Sequence, residues 1–166
     1  MELPKRKPNR LPTYNYSTPG AYFITICVEG KKCILGRVVG GGALDAPVVR
    51  LTEAGQIVQR HIESGNQIPG VTVDKFIVMP NHIHMIILIN KTDSCKPSLA
   101  PSPTNTAIPH FVSTLKRFSH RDIGEKIFQR SYHDHVIRGE QDYQKIWKYI
   151  DTNPARWKQD CFYIDD

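Results

Sequence analysis

The chain has 166 residues, 40% of them hydrophobic, which fits one domain with a core of its own. Its formal net charge of +6 indicates a polyanion such as nucleic acid as partner, although a basic surface also aids solubility. The apolar runs are too short for a membrane span, and the N-terminus lacks the apolar stretch of a signal peptide. The four cysteines show no Cys-x-x-Cys spacing. We therefore expect a cytoplasmic protein with reduced thiols.

The first twenty residues form a basic, proline-containing arm. It carries four cationic side chains followed by two tyrosines, which are Lys5, Arg6, Lys7, Arg10, Tyr14 and Tyr16. The cations can contact phosphates, and an aromatic ring such as that of Tyr14 can stack on an unpaired base, although packing at the start of a strand is an equal alternative.

The remaining pattern is mixed α and β. It predicts strands at 21–28, 33–39 and about 48–51, then a helix capped by Thr52, strands at 71–79 and 83–89, a helix at 110–121, a strand at 129–137 and a last helix at 140–152. Residues 91–109 are rich in Pro, Ser and Thr, which is typical of a flexible loop. Because no Gly-rich phosphate loop follows any strand, we predict a single α+β domain whose antiparallel sheet is flanked by helices.

Two histidines lie at strand spacing where the strand after Pro80 begins. His82 and His84 are two residues apart, so they project from one face of the strand, and apolar residues flank them on both sides. Two adjacent imidazoles can bind one divalent metal ion, whereas an unpaired imidazole in a buried strand is costly. Ordinary strand histidines bonded to neighbours are the alternative, and the pattern alone leaves both open.

The last predicted helix carries an apolar stripe with a tyrosine beside it. The stripe, which we expect to face the core, is formed at spacings of three and four by Tyr143, Ile146, Trp147 and Ile150. Tyr149 lies at the edge of this stripe and Asn153 four residues further on, just before Pro154 ends the helix. A tyrosine in this position usually packs along the helix flank, so Tyr149 alone does not indicate catalysis.

Other polar residues are candidates for contacts with nucleic acid. His133 and His135 form a second His-x-His pair, which either lines a DNA surface or joins the first pair in a four-histidine zinc site. Lys116 and Arg117 lie on the polar side of the 110–121 helix, where phosphate contact and plain solvation are equally good interpretations.

The chain resembles the REP-associated tyrosine transposases, a branch of the single-tyrosine HUH transposases of the IS200-like type. The resemblance is carried by four segments that occur in the same order, at residues 22–27, 79–84, 129–138 and 149–154. The resemblance spans roughly residues 14–157. It implies a ferredoxin-like antiparallel sheet flanked by helices over residues 21–157, preceded by the arm and followed by a tail at 158–166. The stretch 91–109 looks like an insertion, and the arm is short for the family.

The resemblance also implies roles for individual residues. His82 and His84 match the metal-binding pair, Tyr149 matches the nucleophile, and Asn153 matches the polar residue that can complete the metal site. The substrate would be single-stranded or hairpin-containing DNA, contacted further by Arg130 and Arg138, and the enzyme would be a monomer or a homodimer associated with the nucleoid.

Phosphodiester transesterification is compatible with these residue types. A phenol makes an ester that conserves the bond for rejoining, but its pKa near 10 requires a cation or base nearby. Two imidazoles and an amide oxygen suit Mg²⁺ or Mn²⁺ and do not exclude zinc. Two alternatives remain at this point: a non-catalytic nucleic-acid-binding module, and a metal-dependent hydrolase that uses an activated water.

Overall fold

The structure is a computed structural model that describes residues 18–42, 45–90 and 107–164. Their strands and α-helices are β1 Gly20–Cys27, β2 Gly36–Val39, β3 Val48–Leu51, α1 Glu53–Ser64, β4 Val71–Val78, β5 His82–Ile89, α2 Ala107–Ile123, β6 His133–Ile137 and α3 Glu140–Thr152. Short 3-10 helices lie at Glu29–Lys31, Gly65–Gln67 and Pro154–Gln159. None of the helices in these ranges combines the length and apolar character that crossing a bilayer requires. The predicted basic arm and most of the predicted loop, residues 91–106, lie outside the described residues.

Four of the strands form one antiparallel sheet in the order β4-β5-β1-β6. With α1 before β4 and α2 before β6, this is the ferredoxin-like arrangement of a split βαβ unit. The predicted fold class, an antiparallel α+β sheet flanked by helices, is therefore confirmed. Strands β2 and β3 form a separate antiparallel pair inserted between β1 and α1.

The four-stranded sheet is covered on both faces. One face carries the larger core, in which Tyr22, Ile24 and Met85 pack with Ile62 of α1 and Phe111 of α2. The opposite face carries a smaller cluster in which Ile86 of β5 and Ile137 of β6 pack against Ile150 of α3. Because β5 is buried from both sides, its sequence is a continuous apolar run, and the two polar rings at its start are enclosed.

The last strand is shorter than predicted because a half-buried lysine binds the chain before it. The strand begins at His133 and not at residue 129. The ammonium of Lys116 donates hydrogen bonds to the carbonyls of Gln129, Arg130 and Ser131 at 2.7, 3.3 and 3.0 Å, so these carbonyls are occupied. The other end points also shift: β2 starts at Gly36 instead of residue 33, and α2 starts at Ala107 instead of residue 110.

Helix α3 has the predicted bounds, but its predicted apolar stripe is only partly buried. Ile150 is buried and Tyr143 and Ile146 pack beside it, whereas Trp147 is 42% exposed. The expectation that Trp147 faces the core was wrong. Its ring instead lies 3.3 Å from the ammonium of Lys75, and a cation–π contact at the surface replaces burial.

Helix α1 begins at the N-cap residue Thr52, which also holds the start of the helix close to the backbone of residues 34–35. The hydroxyl of Thr52 accepts the amide of Gly55 at 3.1 Å and donates to the carbonyl of Ile34 at 2.6 Å. The carbonyl of Leu35 in turn accepts the amide of Thr52 at 3.0 Å. A Cβ atom on Gly55 would lie 1.9 Å from that carbonyl oxygen, so only glycine fits this position.

Replacing Gly55 by Ala is expected to destabilise the protein. The added methyl group must displace rigid backbone and the cap bond it carries, which costs about 1–3 kcal/mol of unfolding free energy. Urea unfolding measures this change. Gly42→Ala is the matched control, because a Cβ there meets nothing within 4 Å. Equal stability of the two variants would contradict the packing argument.

Candidate metal and tyrosine site

The two histidines of β5 lie side by side on the α3 face of the sheet. Their ring centroids are 4.4 Å apart, and His82 and His84 are 0% and 2% exposed. The amide of Met79 donates to the carbonyl of His82 at 2.8 Å, so the turn through Pro80 fixes where the pair begins. The two-residue spacing along the strand therefore places two buried imidazoles side by side on the same face of the sheet.

The hydrogen bonds of Asn81 determine the tautomer of His82. The amide nitrogen of Asn81 donates to the carbonyls of Lys31 and Phe162 at 3.0 and 2.8 Å, so its side-chain oxygen faces Nδ1 of His82, at 2.9 Å, as an acceptor. Nδ1 of His82 must then carry the proton. Nε2 keeps its lone pair and, among the described residues, this buried nitrogen has no hydrogen-bond partner.

His84 is held between a threonine and the tyrosine of α3. Its Nδ1 lies 2.8 Å from the hydroxyl of Thr25, which is its neighbour across the β1–β5 ladder. Its Nε2 lies 3.3 Å from the hydroxyl of Tyr149. Metal binding by Nε2 requires the tautomer in which Nδ1 donates to Thr25, and in that tautomer the Nε2 lone pair of His84 faces the same side as that of His82.

Tyr149 reaches the histidines because its helix neighbour anchors α3 to the sheet. Ile150 packs on Ile86 and Ile137, so the adjacent Tyr149 runs along the surface and remains 36% exposed. Its ring meets that of Phe23 edge-on at 6.1 Å. The phenol hydroxyl thus lies at the boundary between the buried histidines and solvent, where a substrate atom can reach it.

Asp160, just after the 3-10 helix that follows α3, completes this group. Its Oδ2 accepts the hydroxyl of Tyr149 at 3.2 Å and the side-chain amide of Asn153 at 2.9 Å. The sequence did not identify Asp160, because no regular spacing links it to the tyrosine helix. The sequence feature that could have indicated Asp160 is that a carboxylate follows the tyrosine helix after only a short segment.

The ligand atoms of His82, His84 and Asp160 lie within 4.8 Å of one another. We call these three residues the metal-ligand cluster. A divalent metal fits it on two observations: the buried Nε2 of His82 has no partner in the described structure, and two nitrogens with a carboxylate oxygen suit Mn²⁺, Mg²⁺ or Zn²⁺. The side-chain oxygen of Asn153 is also buried and unpaired among the described atoms, so Asn153 can contribute as well.

Burial dominates the electrostatics of the cluster. It lowers the pKa of His82 from 6.5 to about 4, against the opposing charge of Asp160, and lowers the pKa of His84 well below its ordinary value, with His82 adding to the effect. Both rings are therefore neutral and able to donate lone pairs at neutral pH. Burial, and next the charge of Asp160, raise the pKa of Tyr149 to about 12.

The metal-free protein is expected to lose stability as the pH falls from 6.5 towards 4. In this interval an unfolded histidine binds a proton that the buried ring excludes, so acid favours the unfolded state. Each histidine lowers the free energy of unfolding by about 1.4 kcal/mol per pH unit. Urea unfolding in EDTA across this range measures the slope. An equal slope for His82→Gln/His84→Gln would contradict the assignment.

The predicted DNA-contacting residues divide into three groups. Arg117, Arg130, His133 and Arg138 are exposed, as the prediction requires. Lys116 directs its ammonium at backbone carbonyls, and burial lowers its pKa from 10.5 to about 8. The arm residues Lys5, Arg6, Lys7, Arg10 and Tyr14 lie outside the described structure.

The second histidine pair does not join the first. Both side chains of this pair are exposed on edge strand β6, and Nε2 of His135 pairs with Asp142 at 2.8 Å. Within the ranges that the structure describes, the cluster of possible metal ligands contains neither His133 nor His135. The four-histidine zinc arrangement is therefore not formed there.

Comparisons with known proteins find a relative by sequence and a neighbour by structure. An uncharacterized protein of Haemophilus influenzae is 34% identical, over 96% of this chain and 94% of the relative. The solved structure of a REP-associated tyrosine transposase bound to a REP hairpin superposes with a TM-score of 0.61 at 18% identity, covering 95% of this chain and 74% of that one. No protein-family profile matches the chain.

Proposed function

Since this chain belongs to the same family as the Haemophilus influenzae protein and has the fold of a REP-associated tyrosine transposase, we propose that it is a transposase-type single-stranded DNA endonuclease and strand transferase. Tyr149 is the nucleophile, and the metal-ligand cluster holds a divalent ion, Mg²⁺ or Mn²⁺. One observation carries the proposal: the hydroxyl of Tyr149 lies 3.3 Å from Nε2 of His84 and 3.2 Å from Asp160, beside the unpaired Nε2 of His82.

The proposed reaction is an in-line transesterification. The Tyr149 oxygen attacks phosphorus, an O–P bond forms, and the P–O3′ bond breaks, which leaves a free 3′-hydroxyl and a 5′-phosphotyrosine. The phenol proton passes to Oδ2 of Asp160, and the leaving 3′-oxygen takes its proton from water. When bound, the divalent ion supplies charge neutralisation at the non-bridging phosphate oxygens.

The surrounding residues of this chain orient that chemistry. Asn81 contacts Nδ1 of His82, and Thr25 contacts Nδ1 of His84. In each ring Nε2 is therefore the nitrogen that is available to a metal ion. Asn153 holds the carboxylate of Asp160 through its amide. Phe23 supports both the His84 ring, stacked at 5.2 Å, and the Tyr149 ring. These contacts pre-organise the nucleophile over the central strands β1 and β5.

The distances also favour action within one chain. The Tyr149 hydroxyl and His84 belong to the same protomer and are already within hydrogen-bonding reach. We therefore place Tyr149 in cis, with either a monomer or a homodimer as the active species. A DNA substrate associates the protein with the nucleoid, and the exposed Arg117, Arg130 and Arg138 are available for phosphates.

The test is a search for the covalent intermediate. Labelled DNA with a single strand flanking a hairpin is incubated with protein and Mn²⁺, then separated under denaturing conditions. The expected result is a labelled band shifted by the mass of the protein and destroyed by protease. Cleavage without this band would instead favour hydrolysis by water, and binding without cleavage would favour a non-catalytic module.

A further inference from the structure

A cleft of about 570 Å³ opens beside the metal-ligand cluster. It lies between strand β2 with the residues after it and the 3-10 helix Pro154–Gln159 with the residues that follow. Its volume is within the roughly 300–1,000 Å³ of small-molecule sites. We call it the β2 cleft. None of the three cluster residues lines it, but a single side chain separates the two: Trp157, in the wall of the cleft, has its ring 5.9 Å from the ring of His82.

The charged residues of the β2 cleft have one sign. Arg37 enters from β2 and Lys158 from the 3-10 helix, and both side chains are exposed. No carboxylate is among the described residues that line the cleft. Two cations on opposite walls without a local acid favour an anionic occupant, and DNA supplies an anion at every nucleotide.

The same cleft contains an aromatic surface. Trp157 and Tyr163 both line it, and their rings meet edge-on at 5.4 Å. Tyr163 is positioned by its backbone amide, which donates to the carbonyl of Asp160 at 3.0 Å. An aromatic face beside phosphate-binding cations is the combination that binds an unpaired nucleotide, because every base has a face that can stack.

We propose that the β2 cleft binds one unpaired nucleotide of the DNA strand next to the phosphate that Tyr149 attacks. Trp157 stacks on the base, and Arg37 and Lys158 contact the flanking phosphates. This inference rests on the proposed function and deepens it, because it names a site where the single strand is held. A base inside a duplex is stacked between its neighbours and cannot present its face to Trp157, so the cleft favours unpaired DNA.

Trp157 itself reports occupancy of the cleft. The chain has two tryptophans, so Trp147→Phe leaves Trp157 as the single tryptophan, whose emission can be excited separately from that of the tyrosines. In a Tyr149→Phe background with EDTA, a short oligothymidylate is expected to quench its fluorescence saturably. A strand of equal length with abasic sites should bind more weakly and quench less. No quenching, or equal quenching by both strands, would overturn the proposal.

Charge removal tests the phosphate contacts. Arg37→Gln/Lys158→Gln should lower oligothymidylate affinity about tenfold and reduce the salt slope by about 1.4, at about 0.7 per phosphate contact. Lys126→Gln/Lys145→Gln removes two exposed charges outside the cleft and is the matched control. An equal loss of affinity in both double variants would refute the assignment.

The covalent assay separates this inference from the proposed function. With Tyr149 restored, Arg37→Gln/Lys158→Gln should still form the adduct at saturating DNA, with a raised KM. Adduct formation by the unaltered protein without Trp157 quenching would sink the nucleotide site alone. Absence of an adduct in the unaltered protein would remove the proposed function and, with it, the basis of this inference.

Discussion

Replacing Tyr149 by Phe is expected to reduce the covalent protein–DNA adduct to background. The substitution removes one oxygen and retains the ring that contacts Phe23 and His84, so the fold and the metal-ligand cluster remain. Without that oxygen no phosphotyrosine bond can form. Denaturing electrophoresis of labelled DNA measures the adduct, while single-strand binding by the same variant should be unchanged.

Tyr143 provides the matched control on the same helix. Its hydroxyl donates to Asp74, and that bond raises its pKa to about 12. Because it is not among the partners of the two site histidines, Tyr143→Phe is expected to form the adduct normally. Adduct formation by Tyr149→Phe, together with its loss in Tyr143→Phe, would transfer the nucleophile to Tyr143.

Replacing His82 or His84 by Ala should abolish cleavage and leave single-strand binding intact. Losing a metal ligand removes stabilisation of several kcal/mol from the transition state, which corresponds to at least about a thousandfold in rate. Binding survives because it depends mainly on basic groups elsewhere. Cleavage kinetics and fluorescence anisotropy measure the two properties separately, and EDTA should reproduce the cleavage defect in the unaltered protein.

The second histidine pair supplies a control for this prediction. His135 is exposed and pairs with Asp142, so His135→Ala removes an imidazole at the same strand spacing without touching the metal-ligand cluster. It should retain cleavage, since a surface pair of this kind contributes at most about 1 kcal/mol to stability. Full cleavage by His82→Ala/His84→Ala in EDTA would disprove the metal assignment.

Local patterns predicted those parts of the fold that local physics determines. The bounds of α3 followed from its acidic first turn and from Pro154, and Thr52 caps α1 through its hydroxyl as the sequence indicated. The two histidines share a face because strand geometry requires it. Whether they bind a metal depends on what packs over them, and a single strand does not contain that information.

Long-range contacts account for what the sequence did not predict. Asp160 reaches Tyr149 only because the short 3-10 helix turns the chain back, and no periodicity describes that turn. Residues 129–131 have the composition of a strand, but Lys116 of another element occupies their carbonyls. Trp147 has helical core spacing, yet α3 touches the sheet along a narrower strip than that spacing suggests.

The position of β1 in the sheet also determines the order in which the protein can fold. The first strand lies between β5 and β6, so Thr25 pairs with His84 on one side and with His133 on the other. During synthesis β1 therefore leaves the ribosome with both edges unpaired, while β4 and β5, joined by a tight turn, can form a hairpin locally. Pairing of β1 with β5 and β6 joins segments that are far apart in sequence, and such pairing is slow. We therefore expect refolding to take about milliseconds to seconds. Until β6 docks, the apolar β1 is the segment most exposed to aggregation.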